Sequence, residues 1–150
     1  PGCVGIMNAQ KAGINTVAFT PEELHSGRVA ELAQLLNPDL IVLAGFLLKI
    51  PKKFTTTFEG KIVNVHPSLL PKFGGKGMYG KHVHKSVIAA GETKSGITFH
   101  FVNEHYDEGN MIAQFECPIE PTDTADTLQQ KIQQLEHTHF PSMVEKLLAQ

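Results

Sequence analysis

Asn64 and His66 stand two residues apart in the run Lys-Ile-Val-Asn-Val-His at 61–66. Alternate side chains of an extended strand project to one face, so an amide and an imidazole lie side by side. That pairing suits acyl transfer, with the amide N–H stabilising a developing oxyanion and the imidazole moving a proton. Pro67 and Pro71 stiffen the loop that follows and would keep the pair in place. The same residues also read as a strand-end Asn and His that satisfy local hydrogen bonds. Asp107 lies further on, in Asn-Glu-His-Tyr-Asp-Glu-Gly at 103–109. Beside His66, its carboxylate would orient the imidazole and raise its pKa by favouring the imidazolium. Asp before Glu-Gly is equally ordinary turn chemistry.

Other groups are weaker candidates. Among 8 histidines, His82 and His84 are two apart, as are His137 and His139. On a helix that spacing turns the rings to different faces, and no cysteine or carboxylate completes a zinc-like set, so no metal is expected. Residues 74–81, Gly-Gly-Lys-Gly-Met-Tyr-Gly-Lys, could cradle an anion on backbone N–H groups or form a mobile surface loop. They do not make a Walker motif. A serine nucleophile has no Gly-x-Ser-x-Gly elbow to support it.

The elements that must position these residues follow from periodicity and punctuation. A weak helical stripe over 2–12 ends at Gly13, and the β-branched run 14–19 reads as a strand. Thr20-Pro21-Glu22-Glu23 opens a helix that runs through Val29, Leu32, Leu35 and Leu36 to Asn37-Pro38. Residues 39–45 form a continuous apolar run, expected as a parallel strand buried on both faces. Short helical or irregular sequence at 46–58 precedes the strand at 61–66, a Pro/Gly-rich loop and a helix over 81–90. Residues 95–102 and 110–117 alternate as an antiparallel pair, and 124–149 is helical sequence interrupted or kinked at Pro141. The expected fold is α/β: a doubly wound, mostly parallel sheet with an antiparallel strand pair toward the C-terminus. In such sheets ligands bind beyond the carboxyl ends of the strands, where the segments after 39–44, after 61–65 and at 103–109 should converge. Residues 1–150 read as a single domain. A parallel sheet normally begins with a strand and this one begins with a helix, so its N-terminal βαβ opening is expected to be missing.

The chain has 150 residues, 41% apolar and 19% charged, which is enough for a core and too few charges for disorder. A net charge of −2 gives no basic field for nucleic acid or an anionic membrane. The apolar run at 40–48 is far shorter than the roughly 20 residues needed to cross a bilayer. Cys3 and Cys117 are far apart and make no disulfide framework, so a reducing, cytoplasmic setting is expected.

The run Asn-Val-His-Pro-Ser-Leu-Leu-Pro at 64–71, followed at a distance by Asp-Glu-Gly at 107–109, resembles the phosphoribosylglycinamide formyltransferases, folate-dependent enzymes of purine biosynthesis. Leu-Ile-Val-Leu-Ala-Gly-Phe-Leu-Leu-Lys-Ile-Pro at 40–51 and the helical tail carry the resemblance over nearly the whole chain. It implies formyl transfer from 10-formyltetrahydrofolate, a co-substrate rather than a tightly bound cofactor, to the amine of glycinamide ribonucleotide. The family's catalytic residues fall on Asn64, His66 and Asp107. Its folate-binding segment falls on Leu47, Leu48, Lys49 and Ile50, with a second folate loop on Asn103, Glu104, His105, Tyr106 and Asp107. Its ribonucleotide-contacting helix falls on Gln133 through Glu136, Glu136 making the direct contact. The implied partners are these small molecules, with no nucleic acid and no membrane, in a monomer or homodimer.

The chain departs from the family pattern in three places. The phosphate-binding Gly-Ser-Asn loop has no counterpart, Glu22 stands roughly where many members carry an Arg near the folate, and the loop from Pro71 to His82 is longer. Lys49, Lys72, Lys76 and the missing loop are the candidates for attracting anionic substrates, and Lys76 and Lys81 are candidate contacts for an anionic substrate tail. The alternatives are methionyl-tRNA formyltransferase, which the acidic net charge disfavours, formyltetrahydrofolate deformylase, and a non-catalytic folate- or nucleotide-binding protein.

Overall fold

The computed structural model describes residues 3–105 and 107–150. Four strands form one mixed sheet in the order β1 (Ile41–Leu43), β2 (Ile62–His66), β3 (Lys94–Phe101), β4 (Met111–Pro118). β1 and β2 are parallel, whereas β2–β3 and β3–β4 are antiparallel. The α/β class and the C-terminal antiparallel pair stand as expected, with the parallel part carried by the β1–β2 ladder.

Helices cover both faces. Val65, Ile97 and Phe99 point to one side, where they pack with Val83 and Val87 of α5 (Lys81–Ala89) and Leu128, Ile132 and Met143 of α6 (Ala125–Leu148). Ile62 points to the other side and packs with Ala30 of α3 (Arg28–Leu36) and Phe54 of α4 (Lys52–Thr57). Asn64 and His66 share the parity of Ile62. The apolar contacts therefore end where the polar pair begins, at the carboxyl end of β2.

Several local expectations are corrected. Residues 14–19 are not a strand: Ile14, Val17 and Phe19 are exposed, and no strand among the described residues pairs with them. β-branched composition does not make a strand without a partner for its N–H and C=O groups. The helix expected over 21–36 is two helices, α2 (Pro21–Ser26) and α3, because Gly27 adopts the left-handed conformation at φ 95°. Its start is as read, a capping box between Thr20 and Glu23. β1 holds three half-buried residues rather than a strand buried on both faces, since it lies at the sheet edge. α6 runs 24 residues with Pro141 in its interior, so the proline removes one backbone donor without ending the helix. The helix at Val4–Lys11 (α1) is as expected.

Candidate functional site

Strand register assembles the polar centre. Asn64 lies opposite His100 and His66 opposite Thr98, all four on one face. β3 runs antiparallel to β2, so the loop after β3 starts at the far end of the face and has to double back to bring Asp107 to His66. It does so with Asp107 in the left-handed region, φ 54°, and with Gly109 against the backbone carbonyl of Phe101.

The buried His66 ring donates Nε2–H to the Phe73 carbonyl at 2.7 Å, and its Nδ1 faces Asp107 Oδ1 at 3.5 Å. A carbonyl only accepts, so the proton of the neutral ring is on Nε2. The buried His100 ring likewise gives Nδ1–H to the Phe101 carbonyl at 2.9 Å. Its Nε2 lies 3.2 Å from Asn64 Nδ2 and 3.6 Å from Asp107 Oδ1. The other carboxylate oxygen of Asp107 accepts the Gly75 N–H at 2.9 Å.

The loop after His66 is held from beneath. Thr98 Oγ1 donates to the Ser68 carbonyl at 2.7 Å and accepts the Leu70 N–H at 3.0 Å. Gln114 Nε2 donates to both Thr98 Oγ1 and the Leu70 carbonyl, each at 2.9 Å. Ser68 Oγ donates to the Lys72 carbonyl at 2.8 Å. Phe73, whose carbonyl anchors the His66 ring, is thereby fixed to the sheet.

The electrostatics differ from expectation at His66. Burial lowers its pKa below the ordinary histidine value and outweighs Asp107 and the Phe73 hydrogen bond, which both raise it. Its resting ring is therefore neutral. Burial alone would raise Asp107, but His100, the charge on His66 and the Gly75 N–H together bring it below the ordinary carboxylate value. Glu136 is shifted upward by burial.

These groups line one cavity of about 960 Å³. The site residues expected from the sequence lie on its wall, Leu47, Leu48, Lys49 and Ile50; Asn64 and His66; Asn103, Glu104, His105 and Asp107; Gln133 and Glu136, whereas Gln134 and Leu135 between the last two do not. Tyr106 lies outside the described residues. Glu104 is paired with Lys52 at 2.8 Å, which holds its carboxyl below the ordinary range.

Of the four candidate cations, Lys49 and Lys76 line the cavity. Lys72 instead pairs with Glu92 at 2.8 Å and Lys81 with Asp126 at 3.2 Å. The paired histidines diverge as their spacing required: His137 lines the cavity and His139 stacks flat on Phe115, ring centroids 3.7 Å apart. Among the described residues no three or more His, Cys, Asp or Glu are grouped to hold a metal, and no helix is long and apolar enough to cross a membrane.

Sequence reasoning missed His100. Its signal was present, since Thr98 and His100 alternate on β3 as Asn64 and His66 do on β2. Reading 95–102 only as an alternating strand left its polar positions unexamined.

A mixed α/β sheet with an Asn–His pair at a strand end and a loop carboxylate against the His defines a family. The formyl transferase family matches residues 2–144, and the chain belongs to it. Within it, the chain is 41% identical to the chloroplastic phosphoribosylglycinamide formyltransferase of Vigna unguiculata, over 97% of this chain and 48% of that protein. The crystal structure of phosphoribosylglycinamide formyltransferase from Anaplasma phagocytophilum superposes with a TM-score of 0.88 at 33% identity, covering 97% of this chain and 67% of that one. The enzyme of the same name from Bacillus halodurans gives 0.88 at 34% identity, covering 100% and 77%. The chain spans about half the length of the plant relatives it matches.

Proposed function

We propose that the protein transfers a formyl group from 10-formyltetrahydrofolate to the amine of glycinamide ribonucleotide in purine biosynthesis, with Asn64, His66 and Asp107 as its catalytic residues. One observation carries the reading. The Asn–His–Asp cluster shares its cavity with the segments that family resemblance assigns to folate, 47–50 and 103–105, and to ribonucleotide, Gln133 and Glu136.

The chemistry follows from the geometry. The amine attacks the formyl carbon, a new C–N bond forms, and after collapse of the oxyanion the bond to the folate nitrogen breaks. Asn64 donates an N–H to the oxyanion. His66 rests neutral with its proton on Nε2, so Nδ1 is free to take the proton lost by the amine. Asp107 then faces an imidazolium at 3.5 Å and stabilises it until the proton passes to the departing nitrogen. At the mouth of the cavity Leu47 and Leu48 are exposed apolar side chains, a surface suited to a flat heterocycle. Glu136, its carboxyl shifted up by burial, suits hydrogen bonding to sugar hydroxyls. The free cysteines fit a reducing, cytoplasmic setting.

The test is to incubate the protein with 10-formyltetrahydrofolate, with and without glycinamide ribonucleotide. Folate turnover that requires the ribonucleotide supports the proposal. Equal turnover in water alone means a deformylase, and folate binding without turnover means a non-catalytic protein.

A further inference from the structure

We infer that Lys76 is a specificity-determining residue whose ammonium receives a carboxylate of the folate's glutamate tail. The inference deepens the formyl-transfer reading and rests on it for the identity of the ligand. Lys49 and Lys76 both line the cavity. Lys49 acts on Glu104, a carboxylate that Lys52 already holds at 2.8 Å. Lys76 is exposed and forms no hydrogen bond or ion pair among the described residues. The carboxylates of the wall do not claim it. Asp107 is engaged by His66, His100 and the Gly75 N–H, and the charge that acts on Glu136 is that of His137. Among the described residues the charge of Lys76 is thus left uncompensated, in a cavity whose proposed substrates are both anions.

The backbone decides which substrate that charge serves. Gly75 gives its N–H to Asp107 at 2.9 Å, so Lys76 follows directly on the residue that ties the Gly/Lys loop to the segment assigned to folate. Gly75 and Gly77 have φ of +91° and +83°, conformations that an L side chain rarely adopts. Lys76 is therefore carried on a turn whose course depends on a glycine at either side. Of a folate, the heterocycle suits burial, whereas the glutamate carries two carboxylates that are costly to bury and stays at the mouth. Exposed Leu47 and Leu48 mark that mouth, and Lys76 is exposed on the same cavity. A compact ammonium on a flexible stem matches such a tail, because it follows a moving carboxylate without needing two-point geometry.

Calorimetry with 10-formyl-5,8-dideazafolate, a stable folate analogue, measures the contact without catalysis. Lys76→Gln is expected to raise its Kd about fivefold, the scale of one exposed ion pair, and Lys76→Arg to bind as wild type does. The control ligand is the same analogue with its glutamate replaced by propylamine, which leaves no carboxylate. Lys76→Gln and wild type are expected to bind it equally. Kinetics identify the source of the anion. In Lys76→Gln the KM for 10-formyltetrahydrofolate should rise about fivefold, with the KM for glycinamide ribonucleotide changed by less than about twofold. A rise confined to the ribonucleotide would assign Lys76 to the phosphate and overturns the inference. An unchanged Kd for the folate analogue, or an equal loss with the uncharged one, does the same. Protein that binds the analogue through Lys76 but transfers no formyl group sinks the function proposed above and leaves this inference standing. Full formyl transfer with an unchanged Kd in Lys76→Gln does the reverse, and wild-type protein that does not bind the analogue overturns both.

Discussion

His66 and Asp107 oppose each other at 3.5 Å, Nδ1 to Oδ1, although one ends a strand and the other sits in a loop that begins at the far end of the same face. The carboxylate is held by the Gly75 N–H and cannot follow the ring if the loop relaxes. Its charge raises the His66 pKa against the larger lowering by burial. Asp107→Asn removes that charge, so His66 should titrate at a lower pH than in the wild type. An NMR titration of the ring checks the direction, and an unmoved or upward shift would contradict the pairing. On the mechanism proposed, kcat falls by about 10²-fold or more, because the imidazolium loses its counter-charge.

Asn64→Ala removes the proposed oxyanion donor. Losing one such donor typically costs about 10²–10³ in rate. The side chain is only half-buried and its hydrogen-bond partner among the described residues is His100, so the melting temperature should change little. Near-normal turnover in the folded variant would remove Asn64 from the mechanism.

What could be read from the sequence and what could not divide along a physical line. Asn64 and His66 were legible because strand periodicity places them on one face, and Thr20 because a capping box is local chemistry. The His66–Asp107 contact depends on a loop that doubles back, which no local pattern encodes; it was reached through family resemblance. The direction of the His66 shift was misread because proximity to a carboxylate was visible and the extent of burial was not. Residues 14–19 have strand composition, but a strand is a property of two chain segments, and composition describes only one. His100 was missed for the same reason, since its importance lies in the residue across from it rather than beside it.

Gly96 ties sheet packing to the site. A Cβ there would collide with the backbone oxygen of Phe115 and come within 2.6 Å of Leu69, in the loop that follows His66. A backbone contact cannot be relieved by a rotamer change, so β3 and β4 would have to separate. Gly96→Ala should destabilise the protein by about 3 kcal/mol and lower activity through the Thr98-anchored loop. Urea unfolding measures the first effect. A wild-type midpoint would mean that the β3–β4 ladder is more yielding than its register implies.

His84 gives a prediction about pH at a group outside the proposed catalytic trio. It is buried on α5, its Nδ1 has no hydrogen-bond partner among the described residues, and burial first, then the charge of His66, lowers its pKa. His66 is lowered as well, again chiefly by burial. As pH falls below the ordinary histidine value of about 6.5, the unfolded chain binds protons that the folded one still refuses. Stability should therefore be full above that pH and fall as the solution is acidified, by up to about 1.4 kcal/mol per pH unit for each such histidine. Asp107, also shifted downward, loses its contribution only as pH falls through the carboxylate range, below this window. His84→Leu removes one of the two histidines and also the unpaired buried nitrogen, whose cost is about 1–3 kcal/mol. The variant should be at least as stable as wild type near pH 7.5 and lose less stability between about pH 6.5 and 5.5. Urea unfolding across that range supplies both slopes. Equal slopes would show that His84 takes up its proton in the folded protein as readily as in the unfolded chain, and that its burial does not exclude charge.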